Sequence, residues 1–228
     1  MIEGSVNVDT LIMNNIFIQY EERTKHASEP GKITFQNLSA ECYHLTNDSA
    51  RLAANPYFTI HASTQVLEKA VIKADIRFDL SSENDEFTMT AEGGSFDAAI
   101  LNSVIVGVLP AKITDGQVKG MQIEMTANDD RATGNMEFEY ADMKFDLLTN
   151  DDSKFKSWLA TAAGRTIIRK DNLSTQNNYR SGEIAFDRRK DRFIFNYWWN
   201  SLKSGIVDVM VSDTGKMINL DEKAKETN

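Results

Sequence analysis

Met121-Gln122-Ile123-Glu124-Met125-Thr126, then Asn128-Asp129-Asp130, then Asn135-Met136-Glu137-Phe138-Glu139-Tyr140 is the stretch that decides the fold class. Apolar side chains stand at every second position on both sides of a run of turn formers. Successive side chains of a strand point to opposite faces, so this period marks two half-buried strands joined as a hairpin. Past Tyr140 the apolar phase slips by one, to Met143, Phe145 and Leu147. A β-bulge around Ala141-Asp142 restores the inward face without ending the strand.

The same period extends toward the N-terminus. Ile72, Ala74, Ile76, Phe78 and Leu80 alternate with Lys73, Asp75, Arg77 and Asp79, and Phe87, Met89 and Ala91 alternate with Thr88, Thr90 and Glu92. Ser82-Glu83-Asn84-Asp85 between them predicts a second hairpin. Weaker strands are read at Ile16 to Tyr20, Lys32 to Phe35, Phe58 to Ala62, Glu183 to Phe186 and Val207 to Val211, about ten strands in all by the run-and-turn rule. Helical spacing is confined to three places. Asp97 caps a segment with Ile100, Leu101, Val104, Ile105 and Val108 on one side before Pro110. Asp152 or Ser153 caps a second, with Phe155, Trp158, Leu159 and Ala162, ending near Gly164. Ile194, Tyr197, Trp198, Ser201 and Leu202 form the third, running to Gly205. These patterns predict a mainly β protein with a few short helices, an extended, curved, groove-like antiparallel sheet that the helices cover or plug. Residues 1–219 read as a single β-rich domain, expected to be a piece of a longer chain, and 220–228 as a polar tail.

Composition limits the functions. The 228 residues are 41% hydrophobic and 26% charged, ordinary values for a chain that folds. With 25 basic against 34 acidic residues the net charge is −9, and duplex nucleic acid would meet a repulsive field. The basic turn Arg188, Arg189, Lys190 and Arg192 is a local exception, more consistent with a solvated turn than with a lipid-headgroup patch. The single cysteine, Cys42, excludes an intrachain disulfide. Met1-Ile2-Glu3-Gly4 lacks the basic and apolar regions of a secretory leader, and the longest uncharged run, Ala98 to Ala111, is too short to span a bilayer.

Catalytic and metal patterns are missing. His26, His44 and His61 are the only imidazoles available to activate a nucleophile, and no Gly-x-Ser-x-Gly elbow occurs. Gly93-Gly94-Ser95-Phe96-Asp97 lacks the spacing of a phosphate or dinucleotide loop and reads as a tight turn ahead of a helix. Cys42 and His44 would share a strand face, with His61 the only obvious third zinc ligand, and a buried cysteine beside an ordinary histidine is the expected outcome. Asp129-Asp130 and Asp151-Asp152 fall in turns, where aspartate bonds its own backbone. The expectation is a non-enzyme with no cofactor and no metal. The remaining candidates for ligand or partner contact are apolar: Phe87, Met89, Met121, Ile123, Met125, Met136, Phe138 and Tyr140 on strand faces, and Trp198 and Trp199 in the aromatic group that begins at Phe193.

A resemblance adds to this. Phe87-Thr-Met-Thr-Ala-Glu-Gly-Gly-Ser-Phe-Asp97, Leu101-Asn102, Gly116-Gln117-Val118, Ala132-Thr133-Gly134-Asn135-Met136 and Tyr140-Ala141-Asp142-Met143-Lys144 follow one another in this order. Later come Ile184 to Asp187, Phe195-Asn196-Tyr197-Trp198-Trp199 and Ser201-Leu202-Lys203-Ser204-Gly205-Ile206, with Gly31-Lys32-Ile33-Thr34-Phe35 toward the front. The succession, over about the last two thirds of the chain, resembles the C-terminal region of AsmA-like (AsmA/TamB-type) envelope proteins of Bacteroidetes and related Gram-negative bacteria. The resemblance implies a periplasmic body tethered to the inner membrane by an anchor outside this sequence. It also implies an apolar β-groove that binds the acyl chains of phospholipid or fatty acid in phospholipid transport or outer-membrane biogenesis, and other envelope proteins as partners. The alternative is an interaction module of an envelope assembly that does not transport. Which holds turns on whether the Met121 to Tyr140 hairpin faces a packed core or an accessible groove.

Overall fold

Strand-strand hydrogen bonding is the frame on which everything else is hung. In the computed structural model, which describes residues 4–22, 30–105, 111–147 and 169–210, the elements follow one another as β1 (Asn7–Glu22), β2 (Gly31–Thr46), α1 (Ser49–Ala54), β3 (Tyr57–Val66), β4 (Ala70–Asp79), β5 (Phe87–Gly93) and β6 (Phe96–Asp97). A 3-10 turn (Ala98–Leu101), α2 (Asn102–Ile105), β7 (Ala111–Ala127), β8 (Arg131–Leu147), β9 (Gly182–Asp187) and α3 (Ile194–Met210) complete the described chain. The nine described strands form a single open sheet in the order β1-β2-β3-β4-β5-β7-β8-β9, antiparallel throughout and not curled on itself. The short β6 continues the line of β5 along β7, pairing Phe96 with Val118 after β5 has paired Gly93 with Met121. The mainly β, antiparallel class expected from the alternation is what the structure shows.

One face of the sheet is apolar, the inner face, and one is polar, the outer face. Across β4, β5, β7 and β8 the register puts Ile76, Met89, Met125 and Gly134 in one row and Ala74, Ala91, Ile123 and Met136 in the next. Their neighbours Asp75, Thr90, Glu124 and Asn135 lie in one row on the outer face. The bulge read at Ala141-Asp142 is present. Gly116 alone stands between the pairs Asp115↔Lys144 and Gln117↔Ala141, facing both Asp142 and Met143. Asp142 has φ 57° and Gly116 φ 135°, and Met143 is returned to the buried side. Further irregularities in β1 and β2 coincide with left-handed residues, Asn15 at φ 55° and Asn37 at φ 51°. Asparagine is one of the few residues that tolerates this conformation. Bulges bend a hairpin, and the far part of β1–β2 comes onto the helices: α2 packs on β2, and Asn196 Nδ2 donates to the Tyr20 hydroxyl at 3.1 Å.

The helix α3 closes the other end. Tyr197, Ser201, Gly205 and Val209 recur at four-residue spacing and are buried against β8 and β9. Here the expectations need correction. The strand read at Val207 to Val211 is helix as far as it is described, since α3 runs through Met210 and Val211 lies outside the described residues; the alternating valines mimic a strand, but Val209 continues the buried stripe of the helix. Nor does Gly205 end the helix. It sits inside it, where a Cβ would lie 3.0 Å from Ile184 Cγ1 and 3.1 Å from Met136 Cβ. On the facing strand, a Cβ on Gly182 would collide with the Gly205 carbonyl oxygen and sit 2.6 Å from Val209 Cγ2. The two glycines let helix and strand backbones approach.

The first expected helix is split into the 3-10 turn and α2, with Asp97 accepting from Ala99 N at 2.8 Å as read. Val108 and Pro110 lie outside the described residues, as do the helix read at 152–164 and the polar tail. The helix α1 was not anticipated, because it buries nothing and so carries no apolar period; Asp48 caps it by accepting from Arg51 N at 3.0 Å.

Gly182→Ala is expected to cost about 1–3 kcal/mol through this overpacking. Urea denaturation reads it as a lowered midpoint at unchanged slope. Gly94→Ala, whose added methyl meets nothing within 4 Å, is the control and leaves the midpoint unchanged or slightly raised.

Candidate functional site

Seven of the ten apolar candidates are buried together. Phe87, Met89, Ile123, Met125, Met136, Phe138 and Tyr140 belong to one cluster on the inner face, with Ile184, Tyr197 and Val209. Met121 and Trp198 are half-buried at its margin, and Trp199 is half-buried outside it. The Met121 to Tyr140 hairpin therefore faces a packed core. An aromatic row crosses it. Ring centroids step from Phe58 to Phe78 (5.8 Å), Phe78 to Phe87 (5.2 Å), Phe87 to Tyr197 (6.3 Å) and Tyr197 to Phe186 (6.3 Å), with Trp198 edge-on to Phe87 at 6.2 Å. These spacings are those of attractive offset and edge-to-face pairs.

A buried amide seals one side of this core. Asn172 Nδ2 donates to the carbonyls of Phe138 (2.9 Å) and Arg180 (3.0 Å), and its Oδ1 accepts from Arg180 N at 3.1 Å. Its backbone exchanges hydrogen bonds with Tyr140, so every polar group of this fully buried residue is used. Nothing in the sequence marks Asn172 for this role, because its partners are carbonyls set by the fold. The Tyr140 hydroxyl, by contrast, has no hydrogen-bond partner among the described residues.

Toward β1 the inner face changes character. Cys42, Ala40 and Ile76 are buried, but Phe58, Ile60, Ala62, Ala74 and Phe78 are only half-buried, and Leu11 beside Cys42 is exposed. The strands holding these residues were read from the sequence. Their partial exposure was not, since it depends on where α3 docks.

The polar groups considered for chemistry are dispersed. Burial pushes the Cys42 thiol above its ordinary value, away from the reactive thiolate. His44 is in a left-handed conformation with Nε2 2.7 Å from the Asn55 carbonyl. His61 pairs with Asp75 on the exposed outer face, and His26 lies outside the described residues. The described residues contain no group of three or more metal-ligating side chains. The basic turn is matched by acids. Arg188 and Lys190 pair with Asp129, Lys190 also reaches Asp130 at 2.8 Å, and Arg189 reaches Asp191 at 3.0 Å. The Lys190 ammonium beside Asp129 holds that carboxyl below its usual range. An open trough of about 430 Å³ lies on the outer face where β5 leaves β7, floored by Gly93, Gly94 and Gly120 and rimmed by Lys73, Glu92 and Glu137. The Lys73–Glu92 pair at 3.3 Å already satisfies its one cation. No described helix is long and apolar enough to cross a membrane.

Comparison with protein-family models, curated proteins and solved structures finds no match to this chain.

Burial pushes the Tyr140 and Tyr197 phenols up to about 12. The folded state holds these protons more tightly than the unfolded chain, whose phenols titrate near 10. Their contribution is thus complete below pH 10 and lost as pH rises toward 12. In Tyr140→Phe the urea midpoint is expected to fall less steeply over that window, and at neutral pH to match or exceed the wild type, because no hydrogen bond is removed.

Proposed function

We propose that this chain is a non-catalytic segment of an envelope protein, resembling the AsmA-like family, that holds acyl chains of phospholipid or fatty acid against the β1–β4 half of its inner face. The observation that carries the proposal is the uneven cover of that face. It is packed from β7 to β9, yet from Leu11 (45% exposed) through Ile60 to Phe78 it is apolar and incompletely covered. An alternating sheet with one apolar face either packs that face or leaves it free to hold a ligand, and the thin cover over β1–β4 supports the second for that half. The packed core beneath the Met121 to Tyr140 hairpin removes the groove expected there, and the reading rests on the β1–β4 half of the face instead. A role in phospholipid transport or outer-membrane biogenesis, in the periplasm and tethered to the inner membrane through an anchor outside this sequence, follows from the resemblance.

A second reading, an envelope interaction module docking through the aromatic run, draws on one residue. Phe193 is 73% exposed and stacks on Phe195 at 5.9 Å. Tyr197 is buried, and Trp198 is engaged with Phe87 and Phe195. Phe193→Ser is therefore the substitution that isolates a docking role.

For the acyl-chain reading, protein incubated with phosphatidylglycerol vesicles and repurified is expected to carry phospholipid adducts in native mass spectra. Leu11→Asp combined with Ile60→Asn is expected to remove them while the circular dichroism spectrum is retained. A wild-type spectrum without adducts overturns the proposal.

A further inference from the structure

The two edges of the sheet are finished differently. At the β9 edge the outward amides are satisfied by the helix that follows: Glu183 N donates to Asp208 Oδ2 at 2.9 Å and Ala185 N to Ser204 Oγ at 3.1 Å. The α3 backbone lies directly against Gly182, so no further strand can add there. At the other edge, β1 pairs with β2 on one side, and no described strand pairs with its outer side. A row of outward N–H and C=O groups is a template for another extended backbone.

The side chains of β1 do not guard this edge. Proteins commonly protect a free edge with lysines, prolines or inward-pointing charges. From Thr10 to Tyr20 there is no charged residue and no proline. Ile12 is 61% and Phe17 60% exposed, with Leu11 and Ile16 also exposed. The bulges between Met13 and Ile18 interrupt the far part, which leaves Asn7–Met13 as the stretch paired without a register shift to Ala40–Thr46, broken only at Asp9 opposite the left-handed His44.

We propose that this edge binds the same edge of a second copy of the chain, β1 against β1 in antiparallel register about a two-fold axis. Three features favour a copy over another extended peptide. An isologous contact requires a patch complementary to itself, and an open antiparallel edge has that property in its backbone. With the axis at Thr10, Val8 faces Ile12 of the other copy and Asp9 faces Leu11, so no like charges stand directly opposite, and Asp9, diagonal to its counterpart, is paired with Arg51 of its own chain. Each chain carries −9, so the Thr10–Tyr20 part of β1, which holds no charged residue, is where two copies approach with least repulsion. A single added strand pair makes a small interface, and association is weak and concentration-dependent. This inference is independent of the acyl-chain reading.

Light scattering coupled to size exclusion, on the full chain from low micromolar to near-millimolar concentration, is expected to show the mass rising from one chain toward two. Ile12→Lys, at an exposed position, and Thr10→Pro, which removes an edge amide, are each expected to hold the mass at one chain with an unchanged circular dichroism spectrum. A one-chain mass over the whole range overturns the proposal, as does a two-chain species that survives both substitutions. Slowed amide exchange confined to Asn7–Met13 at high concentration supports it, and slowing elsewhere with β1 unaffected overturns it.

Discussion

The contact between Gly182 on β9 and Gly205 on α3 is the constraint on which the arrangement rests. Without side chains at these positions the helix settles against the strand, with Ile184 and Met136 beneath Gly205 and Val209 beside Gly182. Moved outward by a methyl group's width, α3 would lose dispersion contacts along its buried stripe, and such losses are steep with distance. Two other features depend on that closeness. Ser204 and Asp208 reach the outward amides of β9 only because the helix is near, and Tyr197 meets both Phe87 and Phe186. One backbone approach fills the core and finishes a sheet edge together.

From this follows the asymmetry of the molecule. Cover is concentrated at the β7–β9 end, where Met136, Tyr140 and Ile184 are fully buried, and thins toward β1, where Leu11 is exposed. The outer face is mostly polar, with its ion pairs exposed to water, where each is worth about 0–1 kcal/mol. Stability therefore resides in the inner face, where full burial of each large apolar side chain contributes roughly 1.5–3 kcal/mol. Both proposals draw on the less covered half: the inner face of β1–β4 for acyl chains, the outer edge of β1 for a second copy.

Much of the strand pattern was legible because a half-buried antiparallel strand writes its two faces directly into the sequence. Ile72 to Leu80, Met121 to Tyr140 and the bulge after Tyr140 are such cases. Asn128 was legible as a turn residue, and its Oδ1 accepts from the amides of Asp130 and Arg131. Val207 to Val211 was misread because valines two apart satisfy the strand period as well as one stripe of a helix. Gly205 was misread as a stop because glycine after an amphipathic run usually ends a helix, whereas here the absent side chain is a packing requirement. The apolar candidates of the central hairpin were legible as inward-facing, but the packing of α3 over them was not.

By itself, then, the sequence determined the class of fold, the placement of most strands and the sidedness of the sheet, because alternation is a local property of each strand. It also determined the acidic balance and the absence of recognisable catalytic patterns. The tertiary structure alone decided what covers the inner face and where the cover stops. It decided too that Asn172 closes on Phe138 and Arg180, and that one edge is satisfied by its own helix while no described strand pairs with the other. Those outcomes depend on contacts between residues far apart in the chain, and the periodicity of a single segment carries no information about them.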